Sequence, residues 1–551
     1  MNELIPGNLL PALLVIIPII GATLPFAATL FKQRIGWPLA AIVLVVEAIV
    51  AVALAYTVYI QEERIAHVLG GESFGRVSEE GFIVGIELIA DQLSAVVVFL
   101  VALVALAVLA FSRKGGPRSD VFYAGYLLLT GGLMGVVLTG DLFNLFVFLE
   151  ITGLATYALI ASNRSAGSAV ASLKYLIIGT IGASLYLVGV GYIYVRTGTL
   201  NMVDVSRSLA GEPEWVDSAL YTDPLVLAGF AFIAAGLLVK AAIFPLHTWQ
   251  PDAYDRAPDA VTIYVSALVS TSAAYAFGRI SLNVFTPEFF AETPLAIEAV
   301  LLVAGVSVIV GSALAAAQSK VKRLLAYSSV AQFGLIIIAF GLAVHPDASQ
   351  AAARYAIYGA IIHLAAHAVI KGGLFATAGA LAAGEGARKI GEYAGLAKRR
   401  PFLAGSIAIL GFGIVGVPPT LGFVGKWYIA VGAAETQLWI IVFVVFASTL
   451  LSLLYIARLL EKLYFDYLPH DAPSYAEPSS VAHAVTDGGP RTDGSGASAG
   501  MYLLAVGTAV LTLILGFYGA TFAELLDPVV TAAEQSDPVI GADLSEVIND
   551  D

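Results

Sequence analysis

The 551-residue sequence contains no cysteine, and only 13% of its residues are charged. Without cysteine the chain has no disulfide bond, no thiolate zinc site and no ligand for an iron–sulfur cluster. The low charge excludes an ordinary soluble domain, in which about 25% of residues are charged. A glycine-rich nucleotide-binding loop before a helix and a haem-attachment motif are also missing from the sequence. We therefore expect this chain to bind no cofactor, metal ion or nucleic acid.

Apolar residues dominate instead, since 59% of the sequence is hydrophobic. A transmembrane helix needs about 20 consecutive apolar residues, and such runs recur along the chain. The pattern predicts an all-α integral membrane protein with about 14 transmembrane helices. The predicted spans are 9–31, 38–60, 91–112, 121–140, 142–162, 168–195, 225–246, 260–282, 296–317, 324–344, 352–383, 402–432, 437–460 and 500–521.

The basic residues between these spans predict how the chain is oriented in the lipid bilayer. Most lysines and arginines outside the spans lie in loops that follow odd-numbered spans, for instance Lys320, Lys322, Arg323 and the run 398–400. Cytoplasmic loops of membrane proteins carry the excess of basic residues. We therefore predict a multi-pass protein of the cell membrane with cytoplasmic odd-numbered loops and both termini outside the cytoplasm.

The same pattern divides the chain into segments. Residues 61–87, between the second and third spans, form a predicted extracytoplasmic loop with a short hairpin or amphipathic stub. The predicted segments are helices 1–3 with that loop (1–120), a first five-helix unit (121–282), a second five-helix unit (296–460), a flexible polar cytoplasmic loop (461–499), the last helix (500–521) and an acidic C-terminal tail (522–551).

Four lysines lie inside predicted spans: Lys174, Lys240, Lys371 and Lys426. If all four were ionised and uncompensated, burying them would cost about 10–14 kcal/mol on insertion scales. Only one acid, Glu150, is identified clearly in mid-span with them, and one carboxylate cannot neutralise four ammonium groups. Some of the lysines must therefore be solvated by internal water or spend time neutral. Since such lysines can accept and donate protons, we interpret the set as a proton relay.

A purely structural role is the alternative for some of these residues. Glu150 could form a packing ion pair with Lys174 on the next helix. Lys174 also lies within two turns of its helix start, so its ammonium group could reach water. Lys240 lies too far from the helix ends for the same explanation.

Two histidines share a helix face with one of the lysines. His363, His367 and Lys371 are spaced four residues apart in span 11, which places them on one side of the helix. Two histidines at this spacing can bind zinc, but the sequence offers no cysteine and no paired acid nearby. We instead expect the three side chains to line a wet polar cavity, where histidine can shuttle protons near neutral pH.

Two of the lysines lie beside a predicted helix break. Lys240 precedes Pro245 in span 7, and Lys426 follows Pro418 and Pro419 in span 12. Proline interrupts a helix, and irregular backbone at membrane depth is tolerated only against protein or a water-filled cavity. Broken helices at corresponding places in two halves indicate a transport site. We predict that spans 4–8 and 9–13 are two five-helix repeats with spans 7 and 12 broken.

These segments resemble the antiporter-like membrane subunits shared by Mrp-type multisubunit sodium/proton antiporters and respiratory complex I. The resemblance covers residues 90–460 and implies fourteen helices with two inverted five-helix repeats. It implies that Glu150, Lys240 and Lys426 are transport residues, supported by Lys174 and Lys371, and that other subunits of a membrane complex are the partners. The matching segments are "TGDLFNLFVFLE", "ASLKYLIIG", "KAAIFPLHTWQPDAYDRAPDAVT", "KVKRLLAYSSVAQFG", "HLAAHAVIKGGLF" and "GVPPTLGFVGKW".

Within this family the sequence looks most similar to the D-type subunit of Mrp antiporters. The segments "DLFNLFVFLE" and "TGTLNMVDV" carry that likeness, and the proline that complex I relatives commonly have shortly after the span-5 glutamate is absent. The likeness implies H⁺ and Na⁺ as transported ions. One position departs from the family, which often has a lysine or histidine in span 8 where this chain has Thr271. Threonine cannot titrate, so either Ser270, Thr271 and Ser272 bridge the gap with water, or the protein couples differently.

Three functions follow from these patterns. The first is an ion-translocating subunit of a multisubunit monovalent cation/proton antiporter, which is a transporter component rather than an enzyme. The second is a proton-pumping membrane subunit of a complex I-like or hydrogenase-linked redox enzyme. The third is a membrane scaffold with a vestigial path. The neighbouring genes distinguish the first two functions, since they encode either small antiporter subunits or quinone-reductase or hydrogenase subunits. Substitution of Lys240 distinguishes both from the scaffold, whose function would survive it.

Overall fold

The computed structural model describes residues 7–30, 35–61, 64–69, 86–213, 218–466 and 497–534. Nearly all of these residues are helical, and the two strands β1 (Ile65–Leu69) and β2 (Ile86–Ala90) form an antiparallel hairpin. The helices are α1 (Leu10–Leu30), α2 (Gly36–Ile60), α3 (Gln92–Gly115), α4 (Asp120–Leu138), α5 (Leu142–Ala161), α6 (Ala166–Thr197), α7 (Met202–Ala210), α8 (Pro224–Lys240), α9 (Gln250–Arg256), α10 (Asp259–Tyr264), α11 (Ser270–Ile280), α12 (Thr286–Glu292), α13 (Pro294–Ala316), α14 (Val321–Ala343), α15 (Gln350–Glu385), α16 (Leu396–Arg399), α17 (Pro401–Val415), α18 (Leu421–Glu435), α19 (Trp439–Tyr464), α20 (Ala499–Phe517), α21 (Gly519–Glu524) and α22 (Asp527–Glu534).

The fold is that of an all-α integral membrane protein, as predicted. Among the described residues, 12 helices are long and apolar enough to cross a bilayer. They correspond to the predicted spans 1–6, 8–11, 13 and 14. The other two predicted spans contain the shorter apolar helices α8 and α17, each followed by a break and a second helix. The total of fourteen spans and the inverted repeat remain predictions.

Polar side chains define where several of these helices begin. Asp91, Asp141 and Ser165 precede α3, α5 and α6, and each accepts a hydrogen bond from a backbone N–H of the first turn. Such caps satisfy N–H groups that have no partner within the helix. These caps therefore fix where the three helices begin, including α5, which carries Glu150.

The centre of the bundle contains three long helices that are buried along most of their length. The first is Asp259–Glu292, in which π-helical turns join α10, α11 and α12. The other two are α14 and α15, which lie beside it. By contrast α2, α6 and α19 expose large aliphatic side chains on their outer faces, as lipid contact requires. The predicted relay residues of span 11 are therefore in the protein interior.

A buried ion pair ties the central helix to α3. The Arg279 guanidinium donates to both oxygens of Asp91, and the Arg279 side chain is 8% exposed while that of Asp91 is fully buried. Tyr275 and Asn283 also accept hydrogen bonds from Arg279. Removing one partner of a buried pair leaves an uncompensated charge and costs about 3–5 kcal/mol.

We expect Arg279→Met to destabilise the protein by about 3–5 kcal/mol, because the Asp91 carboxylate loses its cation while it remains buried. Thermal unfolding of the detergent-solubilised complex, followed by tryptophan fluorescence, measures the loss. Arg196→Met is the matched control, since Arg196 pairs with Asp223 while 38% of its side chain is exposed, and an exposed pair contributes about 0–1 kcal/mol. Equal unfolding temperatures for the two variants would show that the Arg279–Asp91 pair does not stabilise the fold.

The domain boundaries remain predictions. Strand β1 lies within the predicted loop 61–87, and strand β2 begins at the end of that loop and continues to Ala90. Most of the predicted polar loop 461–499, the end of the acidic tail 522–551 and the middle of the 61–87 loop lie outside the described residues.

Candidate functional site

The first broken helix places Lys240 against Glu150. Lys240 is the last residue of α8 and is 4% exposed. Its Nζ donates to Glu150 Oε1 on α5 at 2.8 Å and is 3.5 Å from the Leu149 carbonyl oxygen. A Cβ atom at Gly153 would lie 3.2 Å from Nζ, so a residue without a side chain leaves room for the ammonium group. The buried lysine thus has a carboxylate partner, which comes from a helix 90 residues away in sequence.

The break after Lys240 is held by side chains from neighbouring elements. Phe244 N–H donates to Ser307 Oγ at 3.0 Å, and Trp249 Nε1 donates to the Val239 carbonyl oxygen at 3.0 Å. The Ser270 hydroxyl donates to the carbonyl oxygen of Lys240 at 3.4 Å. Backbone groups freed by the break are therefore satisfied within the protein, as irregular backbone at membrane depth requires.

Lys174 does not pair with Glu150, so that alternative is wrong. Its Nζ lies 2.7 Å from Asp252 Oδ2 on α9, and its side chain is 38% exposed. Arg323 on α14 binds the other oxygen of Asp252 at 2.8 Å. The reason is the helix break, which lets α9 fold back beside α6 and offer a closer acid than α5 does. Lys174 thus belongs to a half-exposed cluster rather than to the Glu150–Lys240 pair.

A polar link extends from Lys240 toward the second half of the molecule. Ser270 Oγ accepts a hydrogen bond from Gln250 Nε2 at 3.3 Å, and the same amide nitrogen contacts the Tyr254 hydroxyl at 3.0 Å. The Tyr254 ring is 5.6 Å from that of Phe375, one helical turn beyond Lys371 on α15. The hydroxyl and amide groups of the link therefore end at Tyr254, which contacts the helix that carries the second set of buried ionisable residues through the apolar ring of Phe375.

Thr271 and Ser272 do not extend this link, because each donates to a carbonyl of its own helix. Of the three hydroxyl residues expected to replace the missing span-8 base, Ser270 alone contacts the Lys240 backbone among the described residues. The role of Gln250 in this link could not be predicted from the sequence, because glutamine is uncharged and does not stand out within a predicted polar loop.

The second half of the molecule contains a row of buried polar residues between α14 and α15. Lys371 is fully buried, and its Nζ donates to the Leu325 carbonyl oxygen at 2.9 Å and to the Ser328 hydroxyl. His367 Nε2 lies 3.4 Å from Ser329 Oγ, and His363 Nε2 lies 2.9 Å from Gln332 Oε1. The predicted common face of the two histidines and the lysine therefore faces α14.

Lys426 lies at the second helix break. It is on α18 and is 4% exposed, and its Nζ donates to the carbonyl oxygen of Val415, the last residue of α17, at 3.1 Å. Gly416 follows with a φ of 87°, a left-handed conformation that favours glycine and ends the helix. In the described part of the chain Lys426 has no carboxylate partner.

Both lysines therefore place their ammonium groups at the C-terminal end of the first half of a broken helix. The helix dipole favours a cation there by about 0.3–2 kcal/mol. That gain is smaller than the cost of about 2.5–3.5 kcal/mol for a lysine in the membrane interior. Lys426 is therefore held by backbone dipoles alone among the described residues, whereas Glu150 adds a full negative charge that favours the cation at Lys240.

We expect His363→Ala and His367→Ala each to slow transport without abolishing it. Water can replace a neutral imidazole in a polar cavity at a cost of about 0–2 kcal/mol, which corresponds to at most about a 30-fold loss. Transport rates in vesicles that contain the whole complex measure the effect. Complete loss in either variant would contradict this role, and zinc at stoichiometric occupancy would show that the pair is a metal site.

The expectation that Glu150 is the one clear mid-span acid is wrong. Glu47 lies in the middle of α2, inside the predicted span 38–60, and is fully buried. The sequence signal is a single acid within the apolar run "AIVLVVEAIVAV". It is easily missed because the span that carries it contains no lysine and lies outside residues 90–460, where the family resemblance is found.

Comparison with known proteins places the chain. A family described as "NADH:quinone oxidoreductase/Mrp antiporter, TM" matches residues 139–452, which include both broken helices. The chain belongs to this family. The predicted family is thereby confirmed.

Relatives of both kinds are similar to the chain. It is 42% identical over 390 residues to the N subunit of NADH-quinone oxidoreductase from Desulforudis audaxviator, covering 70% of this chain and 74% of that protein. It is 34% identical over 378 residues to the D subunit of the Na⁺/H⁺ antiporter from Bacillus subtilis, covering 68% of this chain and 72% of that protein. The sequence segments indicated a specific similarity to the D subunit of the antiporter. Because the identity to the N subunit is higher, the comparisons do not specifically favour the D subunit.

A solved structure shares the whole fold. A chain of the Mrp complex from Dietzia sp. DQ12-45-1b superposes with a TM-score of 0.81 at 25% identity, covering 97% of this chain and 98% of that chain. The neighbour is part of a multisubunit membrane complex, in agreement with the predicted kind of partner. The chain itself is therefore an antiporter-like membrane subunit of the Mrp or complex I type.

Proposed function

We propose that the chain is the ion-translocating subunit, similar to the Mrp D subunit, of a multisubunit monovalent cation/proton antiporter. Protons cross it through Glu150 and the buried lysines. The observation that carries this proposal is the ion pair between the buried Lys240 Nζ and Oε1 of the partly buried Glu150, at the end of a broken helix. A structural pair would not need the break beside it. The break supplies polar backbone and space at the depth where a proton must change partners.

The pair can exchange protons because each partner controls the charge of the other. A proton that reaches Glu150 neutralises the carboxylate and removes the main stabilisation of the Lys240 cation. Lys240 can then release its own proton to water at the break, where Ser270 and Gln250 supply polar groups beside the Lys240 backbone. Glu150 regains its charge when its proton leaves, and Lys240 is recharged.

The second half of the path uses lysines without an acid. Lys371 and Lys426 are held by backbone carbonyls and a serine hydroxyl rather than by carboxylates in the described residues. Each can therefore be neutral at modest cost and accept a proton that comes from the Tyr254 side. His363 and His367 lie between these lysines and supply further proton-binding nitrogen atoms.

Lys174 has a supporting role in this path. It pairs with Asp252 in a half-exposed cluster, so its ammonium group is more accessible than that of Lys240 at the first break. We place this cluster at the entrance to the path, where it holds α9 against α6 beside the break.

In its proposed setting the chain lies in the cell membrane with both termini outside the cytoplasm, beside other subunits of an antiporter complex. The fold shared with a chain of the Mrp complex supports this setting. So do the basic residues in the loops that follow odd-numbered spans.

A second function is favoured by one specific observation. The 42% identity to the N subunit of an NADH-quinone oxidoreductase supports a proton-pumping subunit of a redox-driven complex. The same path would serve both functions, since each moves protons through the chain. They differ in what drives the protons: a cation gradient or electron transfer in neighbouring subunits.

The test uses the complex purified with its native partners and reconstituted in liposomes with a pH-sensitive dye. For an antiporter, we expect Na⁺ to collapse an imposed pH gradient without any electron donor. Formation of a gradient on addition of NADH and quinone, with no response to Na⁺, would instead establish the redox-driven function. A Lys240→Met complex that responds as the native complex does would favour the scaffold.

A further inference from the structure

Glu47 is a buried acid that the path through Glu150 does not use. It lies in the middle of α2, one of the helices that precede the matched family segment, and is fully buried. Both of its carboxyl oxygens lack a hydrogen-bond partner among the described residues. No lysine or arginine of the described chain forms an ion pair with it. An ionisable residue inside a transmembrane helix is rare and, by default, indicates a functional site.

The surroundings require the carboxyl group to be neutral in this conformation. An ionised carboxylate without a partner is far more costly to bury than a carboxylic acid, so the group keeps its proton instead. A neutral acid at this position gives the fold nothing that an apolar residue would not give, because it makes no hydrogen bond. The acid is therefore better explained by the proton that it can hold and release.

A hydroxyl group on another helix lies near Glu47. The carboxyl group is close enough to the Tyr264 phenol to interact with it electrostatically. The Tyr264 hydroxyl lies 2.7 Å from the Thr130 hydroxyl on α4, and the ring of Tyr126 stacks on that of Tyr264 at 4.5 Å. The Tyr126 hydroxyl is occupied, since it donates to the Ala105 carbonyl oxygen of α3 at 2.6 Å.

The remaining charged groups on the helices around α2 lie at helix ends. Asp91 at the start of α3 is neutralised by Arg279, and Asp120 at the start of α4 accepts a hydrogen bond from the Gly36 N–H. The basic residues 113 and 114 lie in the last turn of α3. The Tyr264 hydroxyl, which is hydrogen-bonded to Thr130, is thus the polar group near Glu47, and Tyr264 borders the π-helical turn Val265–Val269 of the central helix.

We propose that Glu47 is a second proton-binding site of this chain, coupled through Tyr264 and Thr130 to the central helix that also contacts Lys240. In the loading state the O–H bond of the carboxylic acid is intact. In the release state that bond breaks, the proton passes to a water molecule, and the Tyr264 hydroxyl turns from Thr130 toward the carboxylate. Re-protonation from water restores the first state, so no other reactant is consumed.

The first experiment compares variants in vesicles that contain the whole complex. Glu47→Gln keeps the size and neutral polarity of the side chain but cannot release a proton. We expect transport to fall at least tenfold while the amount of assembled complex is unchanged, and Glu47→Asp to keep part of the activity. Glu461→Gln, at an exposed position at the end of α19, is the control and should transport normally. Native rates in Glu47→Gln would overturn the proposal.

The second measurement reads the protonation state directly. Infrared difference spectra of the native complex and Glu47→Gln should reveal a carboxylic C=O band that belongs to Glu47 and shifts when water is replaced by D₂O. A band that does not shift over hours would show that the proton is locked in place, and a missing band would show that the acid is not protonated. Either result overturns the proposal.

This inference rests on the proposed proton path, so Glu150→Ala is measured in the same vesicles. If Glu150→Ala is inactive and Glu47→Gln is normal, the role of Glu47 alone fails. If Glu150→Ala transports at the native rate, the proposed function itself fails.

Discussion

Glu150→Ala should abolish proton-coupled transport while the complex still assembles. The substitution removes the carboxylate that lies 2.8 Å from Lys240 Nζ and leaves the lysine at the end of α8 without a partner. An ammonium group stranded in this way costs about 3–5 kcal/mol, so Lys240 becomes neutral and no longer responds to the arrival of a proton. The measurement is pH-gradient collapse in inside-out membrane vesicles, with the protein quantified on a blot.

Two further variants separate charge from structure at this position. Glu150→Asp keeps the charge but shortens its reach, so we expect partial activity. Glu150→Gln keeps the shape without the charge and should be as inactive as Glu150→Ala. Activity in Glu150→Gln equal to that of the native complex would mean that Glu150 is a packing residue and that the pair with Lys240 does not exchange protons.

Lys426→Arg should also lose proton-coupled transport, although it keeps a positive charge and an approximate size. An arginine side chain stays protonated in proteins, whereas a buried lysine can release its proton. The native Nζ donates only to the Val415 carbonyl oxygen among the described residues, and no carboxylate there holds the charge in place. Transport in the same vesicles measures the effect, and Lys114→Arg at an exposed position of α3 is the matched control.

The opposite pattern would identify a structural lysine. A fixed charge at the second break would tolerate arginine and fail with alanine, since only the charge and its hydrogen bond to α17 would matter. Normal transport by Lys426→Arg together with loss of transport in Lys426→Ala would therefore show that Lys426 is a fixed charge. Its role would then be to set the electrostatic field along the proton path.

Composition, together with a proline close to an intramembrane lysine, predicts the two broken helices. The apolar runs fix the spans because a helix in lipid must satisfy its own backbone groups. Pro245 and Pro418–Pro419 mark the breaks because proline lacks the N–H of the hydrogen-bond ladder, although Pro18 and Pro25 lie inside the continuous helix α1. The four intramembrane lysines stand out in the sequence because charge inside an apolar run is costly.

Partners across the bundle could not be read from the sequence. Lys240 pairs with Glu150, which is 90 residues away. Lys174 pairs with Asp252 on α9, 78 residues away, and not with Glu150 on α5. Helix periodicity predicts which residues share a face of one helix, as it does for the two histidines of α15. It carries no information on which other helix that face meets, and the fold-back of α9 after the break decides the partner of Lys174.

In the proposed mechanism the lysines at the two breaks carry protons by gaining and losing them. The most direct measurement is proton flux through the purified complex in liposomes, comparing the native chain with Lys240→Arg/Lys426→Arg. If the lysines titrate, the double variant will bind its partner subunits and show no proton flux above that of empty liposomes. Proton flux at the native rate through a complex that holds two permanently charged arginines would contradict the mechanism.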